Sequence, residues 1–311
     1  MQTILGANGQ IAEELAKELF RNYTKDIRLV SRSPKKVNDT DMLFAADLID
    51  PIQADRAING SEIAYFTLGL PMDTKLWEEK FPKIMRNVIQ ACKQHHTKLV
   101  FFDNTYMYPQ DGTVLTEETP FAPVGKKGSI RAALAQMVLE EIKQGELQAV
   151  ICRAPEFYGP GKTQSITNSM VFEAVAQGKR PTILLKDNML RSLIWTPDAS
   201  KATALIGNTP DAYGQTWHLP IDTDLVTYKQ FIKMISESYG RDISYKIVPH
   251  WKLRIGSFFN KRLRELQELL PRYAHDNIFD TSKFCKRFPE FMATTYAEGI
   301  AQIRAQHQMR V

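Results

Sequence analysis

The segment "TILGANGQIAEELAKELF", residues 3–20, decides the fold, because a short apolar strand runs through a glycine turn into an amphipathic helix. Gly6 permits a tight turn, Gly9 lets a ligand approach the main chain, and Ala12 lets the helix pack closely on a sheet. The first turn of a helix presents N–H groups that bind phosphate. This strand–turn–helix context predicts that a dinucleotide places its diphosphate against residues 6–12.

Strands and helices alternate along the first half of the chain. The apolar runs that predict strands are 3–7, 26–32, 42–48, 63–69, 98–104 and 148–155. Apolar residues at helical spacing lie between most of them, as in 77–94 and 129–144. Because most of these strands are apolar on both faces, we predict a doubly wound parallel (Rossmann) α/β sheet.

The alternation loosens in the second half, which indicates a division into two parts. Residues 1–160 are predicted to form the dinucleotide-binding domain, and 188–222 are predicted to return to it. Residues 161–187 and 223–311 then form a smaller C-terminal lobe. Ligands of open α/β sheets bind outside the carboxyl ends of the strands, so we expect this lobe to bind the substrate.

Composition and charge exclude several classes of protein. The 311 residues include 40 Lys and Arg against 35 Asp and Glu, and the basic residues are interleaved with acids, which argues against nucleic acid as a partner. The chain shows neither a leader pattern nor an apolar run of about 18 residues, so we expect a soluble cytoplasmic protein without a membrane partner, as monomer or homodimer. Cys92, Cys152 and Cys285 lack CxxC spacing, which predicts buried reduced thiols and no metal site.

The end of the second strand, "LVSRSPKK" (29–36), bears on the choice of dinucleotide. An acidic residue at this point would bind a ribose 2′-hydroxyl, whereas an arginine accommodates a 2′-phosphate. Arg32 lies between Ser31 and Ser33, which makes a suitable phosphate cradle. We therefore predict NADP in preference to NAD, with a solvated basic loop as the alternative.

These residues together resemble the extended short-chain dehydrogenase/reductase family, also called the NAD-dependent epimerases/dehydratases. The turn at Gly6–Ala12 matches its GxxGxx(G/A) pattern, "RAPEFYGPG" (153–161) is close to its R-x-x-x-x-YGPG segment, and Asn87 resembles its helix asparagine. The resemblance implies an NAD(P)-dependent enzyme. The cofactor-binding residues that the motifs and the resemblance indicate are Gly6, Asn8, Gly9, Gln10, Ile11, Arg32, Ser33, Asp47, Leu48, Leu68, Gly69, Arg131 and Pro155.

The active-site motifs depart from the family pattern. In "FFDNTYMYPQ" (101–110), Asn104 stands near the usual serine or threonine. The family's Tyr-x-x-x-Lys pair falls in "VGKKGSIRAALAQ" (124–136), where Lys127 replaces the tyrosine and Arg131 the lysine. The phenol that would exchange a proton is absent, and such positioned acid–base catalysis contributes roughly 10²–10⁴-fold. Lys127, Arg131 and Asn104 are therefore the candidate catalytic residues.

The pair Lys127 and Arg131 allows three interpretations. Arg131 binds the nicotinamide ribose while Lys127 serves as acid; or both hold an anionic group of the substrate, a carboxylate or phosphate; or they form a solvated basic face. Asn104 can donate a hydrogen bond to a carbonyl but cannot give up a proton. Other candidate proton donors are Tyr106, Tyr108, Tyr158 and Glu156. Of these, Tyr108 and Tyr158 match structural positions in the family, and Glu156 is expected to face water.

Three functions fit these observations. The one the sequence favours is NADP-dependent oxidoreduction of a small carbonyl or alcohol substrate. The second is a non-catalytic NADP(H)-binding regulator that senses redox state. The third is a sugar-nucleotide epimerase or dehydratase, against which the missing tyrosine argues.

Overall fold

The structure, a computed structural model, describes residues 1–161 and 165–308. Its strands are β1 (Gln2–Leu5), β2 (Ile27–Ser31), β3 (Met42–Ala45), β4 (Ile63–Phe66), β5 (Lys98–Asp103), β6 (Ala149–Arg153), β7 (Glu156–Tyr158), β8 (Thr182–Leu184), β9 (Leu190–Arg191), β10 (Leu193–Trp195), β11 (Thr216–His218), β12 (Val226–Thr227) and β13 (Lys246–Val248). Its helices are α1 (Gln10–Asn22), α2 (Pro51–Ile58), α3 (Thr74–Gln94), α4 (Lys126–Gln144), α5 (Glu173–Ala176), α6 (Thr196–Gly207), α7 (Tyr228–Tyr239), α8 (His250–Phe259), α9 (Lys261–Leu266), α10 (Ser282–Arg287) and α11 (Tyr296–Gln308). Shorter helical turns cover Asn168–Phe172, Pro210–Ala212 and Gln267–Tyr273.

The first of two compact units contains Met1–Met107, Lys126–Ala154 and Ala199–Leu219. Its seven-stranded sheet has the order β11-β6-β5-β4-β1-β2-β3, and every neighbouring pair is parallel. The predicted doubly wound parallel sheet is confirmed. The strand order changes direction between β1 and β4, which is the point where such sheets bind ligands at their carboxyl ends.

Burial in this sheet follows the hydrophobic pattern of the strands. Every residue of β1, β4 and β6 is buried, as expected for central strands covered by helices on both faces. The edge strand β3 is largely exposed at Met42 and Leu43. Helix α1 turns Ala12, Leu15 and Leu19 toward the sheet. The apolar periodicity of the first 20 residues therefore places the N-terminus of α1 directly after β1.

The second unit contains Tyr108–Gly125 and the described residues of Pro155–Asp198 and Pro220–Val311. Its described residues form three small sheets, in which β7 pairs with β10 and β8 with β13 in parallel, and β9 with β12 in antiparallel orientation. Aromatic rings fill its core, where Tyr158 lies 5.2 Å from Trp195, measured between ring centroids.

The two units divide the chain differently from the boundaries drawn on the sequence. Residues 199–219 lie in the first unit, but 108–125, 155–160, 188–198 and 220–222 lie in the second. The segment 108–125 is held there by main-chain hydrogen bonds of Leu115, whose N–H donates to the carbonyl of Ile278 over 2.9 Å. Sequence periodicity cannot show a contact between segments so far apart.

The cysteines differ in exposure. Cys92 and Cys152 are buried, and burial raises the pKa of both thiols, whereas Cys285 is exposed and the prediction for it is wrong. Within residues 1–161 and 165–308, no helix is long and apolar enough to cross a membrane. Over the same ranges, no group of three or more His, Cys, Asp or Glu side chains is arranged to hold a metal ion.

Candidate dinucleotide-binding site

Glycine stands at two positions of the β1–α1 turn, 6 and 9, for different structural reasons. Gly6 has φ +97°, in the left-handed region that favours glycine, and a Cβ there would lie 2.5 Å from Leu68 Cα. Gly9 has an ordinary extended conformation, φ −84° and ψ 153°, and the nearest atom to a Cβ would be the Gly6 oxygen at 3.5 Å. The fold therefore requires glycine at position 6. The fold does not require glycine at position 9, where the missing side chain leaves an opening in front of the main chain.

The N-terminus of α1 faces this opening. Gly9 is the N-cap residue and offers no side chain to the first N–H groups of the helix. Asn8 and Gly9 are exposed, and Gln10 and Ile11 are partly exposed. An uncapped helix N-terminus carries a partial positive charge and presents N–H donors that point along the helix axis, so this turn suits a diphosphate.

The loop after β2 is attached to the same turn. Asn8 Nδ2 donates to the main-chain oxygen of Ser33 over 2.8 Å, and Ser33 N–H donates to Ser31 Oγ over 3.2 Å. Arg32 between them is exposed. The structure thus brings the predicted phosphate cradle beside the glycine turn and leaves its guanidinium open to solvent.

The loop after β3 is braced by a residue of α3. Asn87 Nδ2 donates to the carbonyls of Leu48, over 3.0 Å, and Ile49, over 2.8 Å. Within the loop, Asp47 Oδ1 accepts a hydrogen bond from Ile49 N–H, and Asp47 N–H donates to Gln53 Oε1. Asn87 therefore positions the Asp47–Leu48 pair, a role that its place in the sequence did not reveal.

The loop after β4 completes this edge of the sheet. The N–H and the Oγ1 of Thr67 both donate to the carbonyl of Leu5, over 3.0 and 3.1 Å. Leu68 then packs against Gly6, and Gly69 is exposed. The cofactor residues predicted after β1, β2, β3 and β4 consequently lie at the carboxyl ends of adjacent parallel strands.

Lys127 and Arg131 are both buried, at 1% and 5% exposure, so the interpretation as a solvated basic face is wrong. Lys127 Nζ donates to Oγ1 of Thr74, the first residue of α3, over 2.8 Å. The neighbouring Lys126 is the cation that faces solvent, and it pairs with Glu78 at 2.8 Å. The two consecutive lysines thus have opposite environments on α4.

Arg131 is fixed by a buried carboxylate. Its Nε donates to Asp103 Oδ1 over 2.8 Å, its Nη2 also contacts Asp103, and Arg153 Nε lies 3.5 Å from Asp103 Oδ2. The guanidinium carbon is 5.1 Å from the ring centroid of Phe101 and 5.5 Å from that of Phe81. The Asp103 carboxylate at the end of β5 is therefore shared by two arginine side chains. The sequence pattern did not predict a role for Asp103, which ends the apolar strand "KLVFFD" next to Asn104.

Asn104 forms a local turn directly after β5. Its N–H donates to Asp103 Oδ1 over 2.8 Å, and its own Oδ1 accepts from Tyr106 N–H over 3.0 Å. Its Nδ2 donates to no residue within the described ranges. The side-chain oxygen is engaged in the turn, so the amide nitrogen can donate a hydrogen bond to a ligand oxygen.

Two of the other candidate proton donors are structural. Tyr108 and Tyr158 are fully buried, and burial raises the pKa of Tyr158 well above its usual value. Tyr106 stacks on Trp77 with ring centroids 6.3 Å apart. Packing is therefore the observed role of the two buried tyrosines. Pro155, which the sequence predicts to bind the cofactor, is buried at the start of a segment of the second unit.

Glu156 in the second unit is buried, and the expectation that it faces water is wrong. Its Oε2 accepts from Arg191 Nη2 over 2.9 Å. Its Oε1 accepts from three hydroxyls, those of Thr167 at 2.9 Å, Tyr228 at 2.9 Å and Tyr273 at 3.1 Å. Burial raises the pKa of Glu156, but the Arg191 charge and these hydrogen bonds outweigh burial and hold the pKa below its usual value. This carboxylate is ionised and fully satisfied, so it serves as an internal ion-pair partner.

Comparison with known proteins agrees with this geometry. Residues 3–219 match the model of the NAD dependent epimerase/dehydratase family. UDP-glucuronic acid 4-epimerase from Bacillus cereus, in complex with NAD, superposes with a TM-score of 0.80 at 14% identity, over 100% of this chain and 99% of that chain. UDP-glucose 4-epimerase from Thermus thermophilus, with NAD, gives 0.77 at 16% identity over 100% of both chains. The dTDP-glucose 4,6-dehydratase DesIV double mutant from Streptomyces venezuelae, with NAD and DAU bound, gives 0.79 at 14% identity over 99% and 97%. No curated protein matches.

Proposed function

Because the chain belongs to the NAD dependent epimerase/dehydratase family, we propose that it binds a nicotinamide dinucleotide along the carboxyl ends of β1–β4 and acts on a sugar nucleotide. The open β1–α1 turn is the observation that carries this proposal. A sugar nucleotide replaces the small carbonyl or alcohol favoured by the sequence, because the three compared structures are sugar-nucleotide epimerases or a dehydratase.

The residues of the first unit fit a dinucleotide. A Cβ at Gly9 would stand in the opening beside the α1 N-terminus, and its absence lets the diphosphate reach the main-chain N–H groups. Asp47 and Leu48, held by Asn87, would contact the adenosine part. When bound, the cofactor supplies a nicotinamide that accepts and returns a hydride.

We extend the proposal to the form of the dinucleotide. Arg32 is exposed, and its loop is tied by the Asn8–Ser33 hydrogen bond to the turn that would hold the diphosphate. An arginine fork binds a phosphate with two parallel hydrogen bonds, which a ribose hydroxyl does not offer. These contacts support NADP over NAD.

The three candidate catalytic residues receive distinct proposed roles. Lys127, which stands where the family has its tyrosine, exchanges a proton with the substrate. Asn104 donates a hydrogen bond from Nδ2 to the reacting oxygen. Arg131 supplies a permanent positive charge, which Asp103 holds in position through the contact to Nε. The cationic side chains of Lys127 and Arg131 also suit an anionic group of the substrate.

A second candidate function is a dinucleotide-binding regulator without catalysis. The engagement of Arg131 by Asp103, together with the absence of the tyrosine, favours it, because neither group of the usual proton relay remains in its usual form. Such a protein would bind oxidised and reduced dinucleotide with different affinities and convert no substrate.

The experiment that separates these functions is a turnover assay with matched lysine variants. The protein is incubated with UDP- and dTDP-hexoses and each dinucleotide, and products are identified by NMR. Lys127→Ala is expected to lower the rate by roughly 10²–10⁴-fold, while Lys126→Ala, on the exposed neighbour, leaves it unchanged. Binding of dinucleotide without conversion of any sugar nucleotide would reject the enzyme in favour of the regulator.

A further inference from the structure

Helix α8 carries an exposed apolar stripe. Trp251 and Ile255 are more than half exposed, and Phe258 and Phe259 are 72% and 88% exposed. At 3.6 residues per turn these four side chains fall within about 100° of arc on one face of the helix. Single exposed apolar residues are common on proteins, but four of them on one helix face, three being aromatic, form a contiguous patch. We call these four residues the α8 stripe.

The opposite face of α8 is packed, so the stripe has a fixed orientation. Leu253 is buried, and a Cβ on Gly256 would lie 2.7 Å from Leu263 Cδ1. The carbonyl of Leu253 accepts a hydrogen bond from Gln267 Nε2 over 3.3 Å, and the carbonyl of Ser257 accepts one from Arg264 Nε over 3.2 Å. The stripe is therefore the outer surface of an anchored helix.

Basic residues border the stripe. On the helical wheel Lys252 lies at one margin of the four side chains and Arg254 at the other, and both are exposed. Helix α9 continues the positive surface with Lys261, Arg262 and Arg264. Five Lys and Arg against one Glu give residues 250–266 a net charge of +4.

We propose that α8 lies on the surface of an anionic lipid bilayer, with the α8 stripe inserted among the acyl chains and the flanking basic residues at the headgroups. Aromatic residues on one helix face with Lys and Arg beside them are the pattern of helices that lie in a membrane interface. A two-fold contact with a second copy would instead bring together two copies of the segment 250–266, each of net charge +4, which disfavours that occupant. A lipid bilayer as partner differs from the sequence-based expectation of no membrane association.

Trp251 provides a direct readout of the proposed insertion. Trp77, Trp195 and Trp217 are buried, whereas Trp251 is exposed on the stripe. The protein is mixed with vesicles of phosphatidylcholine containing phosphatidylglycerol or with pure phosphatidylcholine vesicles, and binding is measured by flotation. Binding is expected with the anionic vesicles only, with a blue shift of tryptophan emission, quenching by brominated acyl chains, and release at 1 M salt.

Matched variants test the two parts of the interaction. Phe258→Ser/Phe259→Ser is expected to weaken vesicle binding by at least about tenfold, because it removes the most exposed apolar area. Lys252→Glu/Arg254→Glu is expected to weaken it at least as much, since each basic charge near an anionic surface changes partitioning about fivefold. Met292→Ser, at an exposed methionine outside the α8 stripe, is the control and should bind normally.

Three results would overturn the proposal. The first is equal binding to neutral and anionic vesicles, or none to either. The second is tryptophan emission that brominated acyl chains do not quench. The third is a concentration-dependent dimer that Phe258→Ser/Phe259→Ser abolishes, which would identify a second copy as the occupant. Circular dichroism of each variant verifies that loss of binding is not loss of folding.

Discussion

Substitution of Gly9 by alanine is expected to separate dinucleotide binding from folding. The backbone at Gly9 has φ −84° and ψ 153°, and the nearest atom to the new methyl would lie at 3.5 Å, so alanine fits the folded chain. Alanine is a poorer N-cap than glycine, but it also reduces the freedom of the unfolded chain, by about 0.4–1 kcal/mol. The free energy of unfolding should therefore change by less than about 1 kcal/mol.

The effect of Gly9→Ala on binding should be much larger. The methyl would occupy the space through which the diphosphate approaches the N–H groups of α1, and at least one hydrogen bond to a charged oxygen would be lost. Such a bond contributes about 1.5–3 kcal/mol. The dissociation constant for the dinucleotide should then rise roughly 10–150-fold, a change that titration calorimetry resolves.

Gly6→Ala is the companion variant with the opposite expectation. A side chain at φ +97° costs about 1–2 kcal/mol in backbone strain alone. The methyl would in addition lie 2.5 Å from Leu68 Cα, a main-chain atom that cannot move away cheaply. Chemical denaturation should show a loss of more than about 2 kcal/mol in stability, in contrast to Gly9→Ala. Unchanged dinucleotide affinity in a folded Gly9→Ala protein would refute the placement of the diphosphate at this turn.

Three further results are expected. Arg32→Ala should weaken NADPH binding at least about tenfold more than NADH binding in calorimetry, and equal losses would reject the 2′-phosphate assignment. Glu156→Gln leaves the buried Arg191 charge uncompensated and should lower the free energy of unfolding by about 3–5 kcal/mol. Because the folded pKa of Glu156 is lowered, its contribution to the free energy of unfolding is present above the unfolded pKa of about 4.3 and is lost as pH falls through the folded pKa. Thermal melts of Glu156→Gln should therefore not show this loss of stability at acid pH. Asn87→Ala frees the carbonyl of Leu48 and should weaken dinucleotide binding several-fold with intact secondary structure by circular dichroism.

The sequence was sufficient for the features that depend on local pattern. The strand–turn–helix order and glycine spacing of residues 3–20 predicted the β1–α1 turn, and the alternation of apolar strands with helices predicted the parallel sheet. These features are encoded within about 20 neighbouring residues at a time, so periodicity alone reveals them. The family resemblance, which rests on the same motifs, is confirmed by the match over residues 3–219.

The features that the sequence did not reveal depend on contacts between distant residues. Asp103 and Arg131 are 28 positions apart, and Glu156 binds a hydroxyl of Tyr273, 117 positions away. Lys126 and Lys127 are identical neighbours, and only the packing of α4 against α3 decides which of them is buried. Exposure of individual charged side chains therefore required the three-dimensional structure.

Calorimetric titration of the purified protein with NADP⁺ and with NAD⁺ tests the central claim most directly, since the candidate site is defined by the turn between β1 and α1. One dinucleotide should bind per chain, with NADP⁺ binding more tightly than NAD⁺. Absence of measurable heat with either dinucleotide at millimolar concentration, for a protein that melts cooperatively, would contradict the claim.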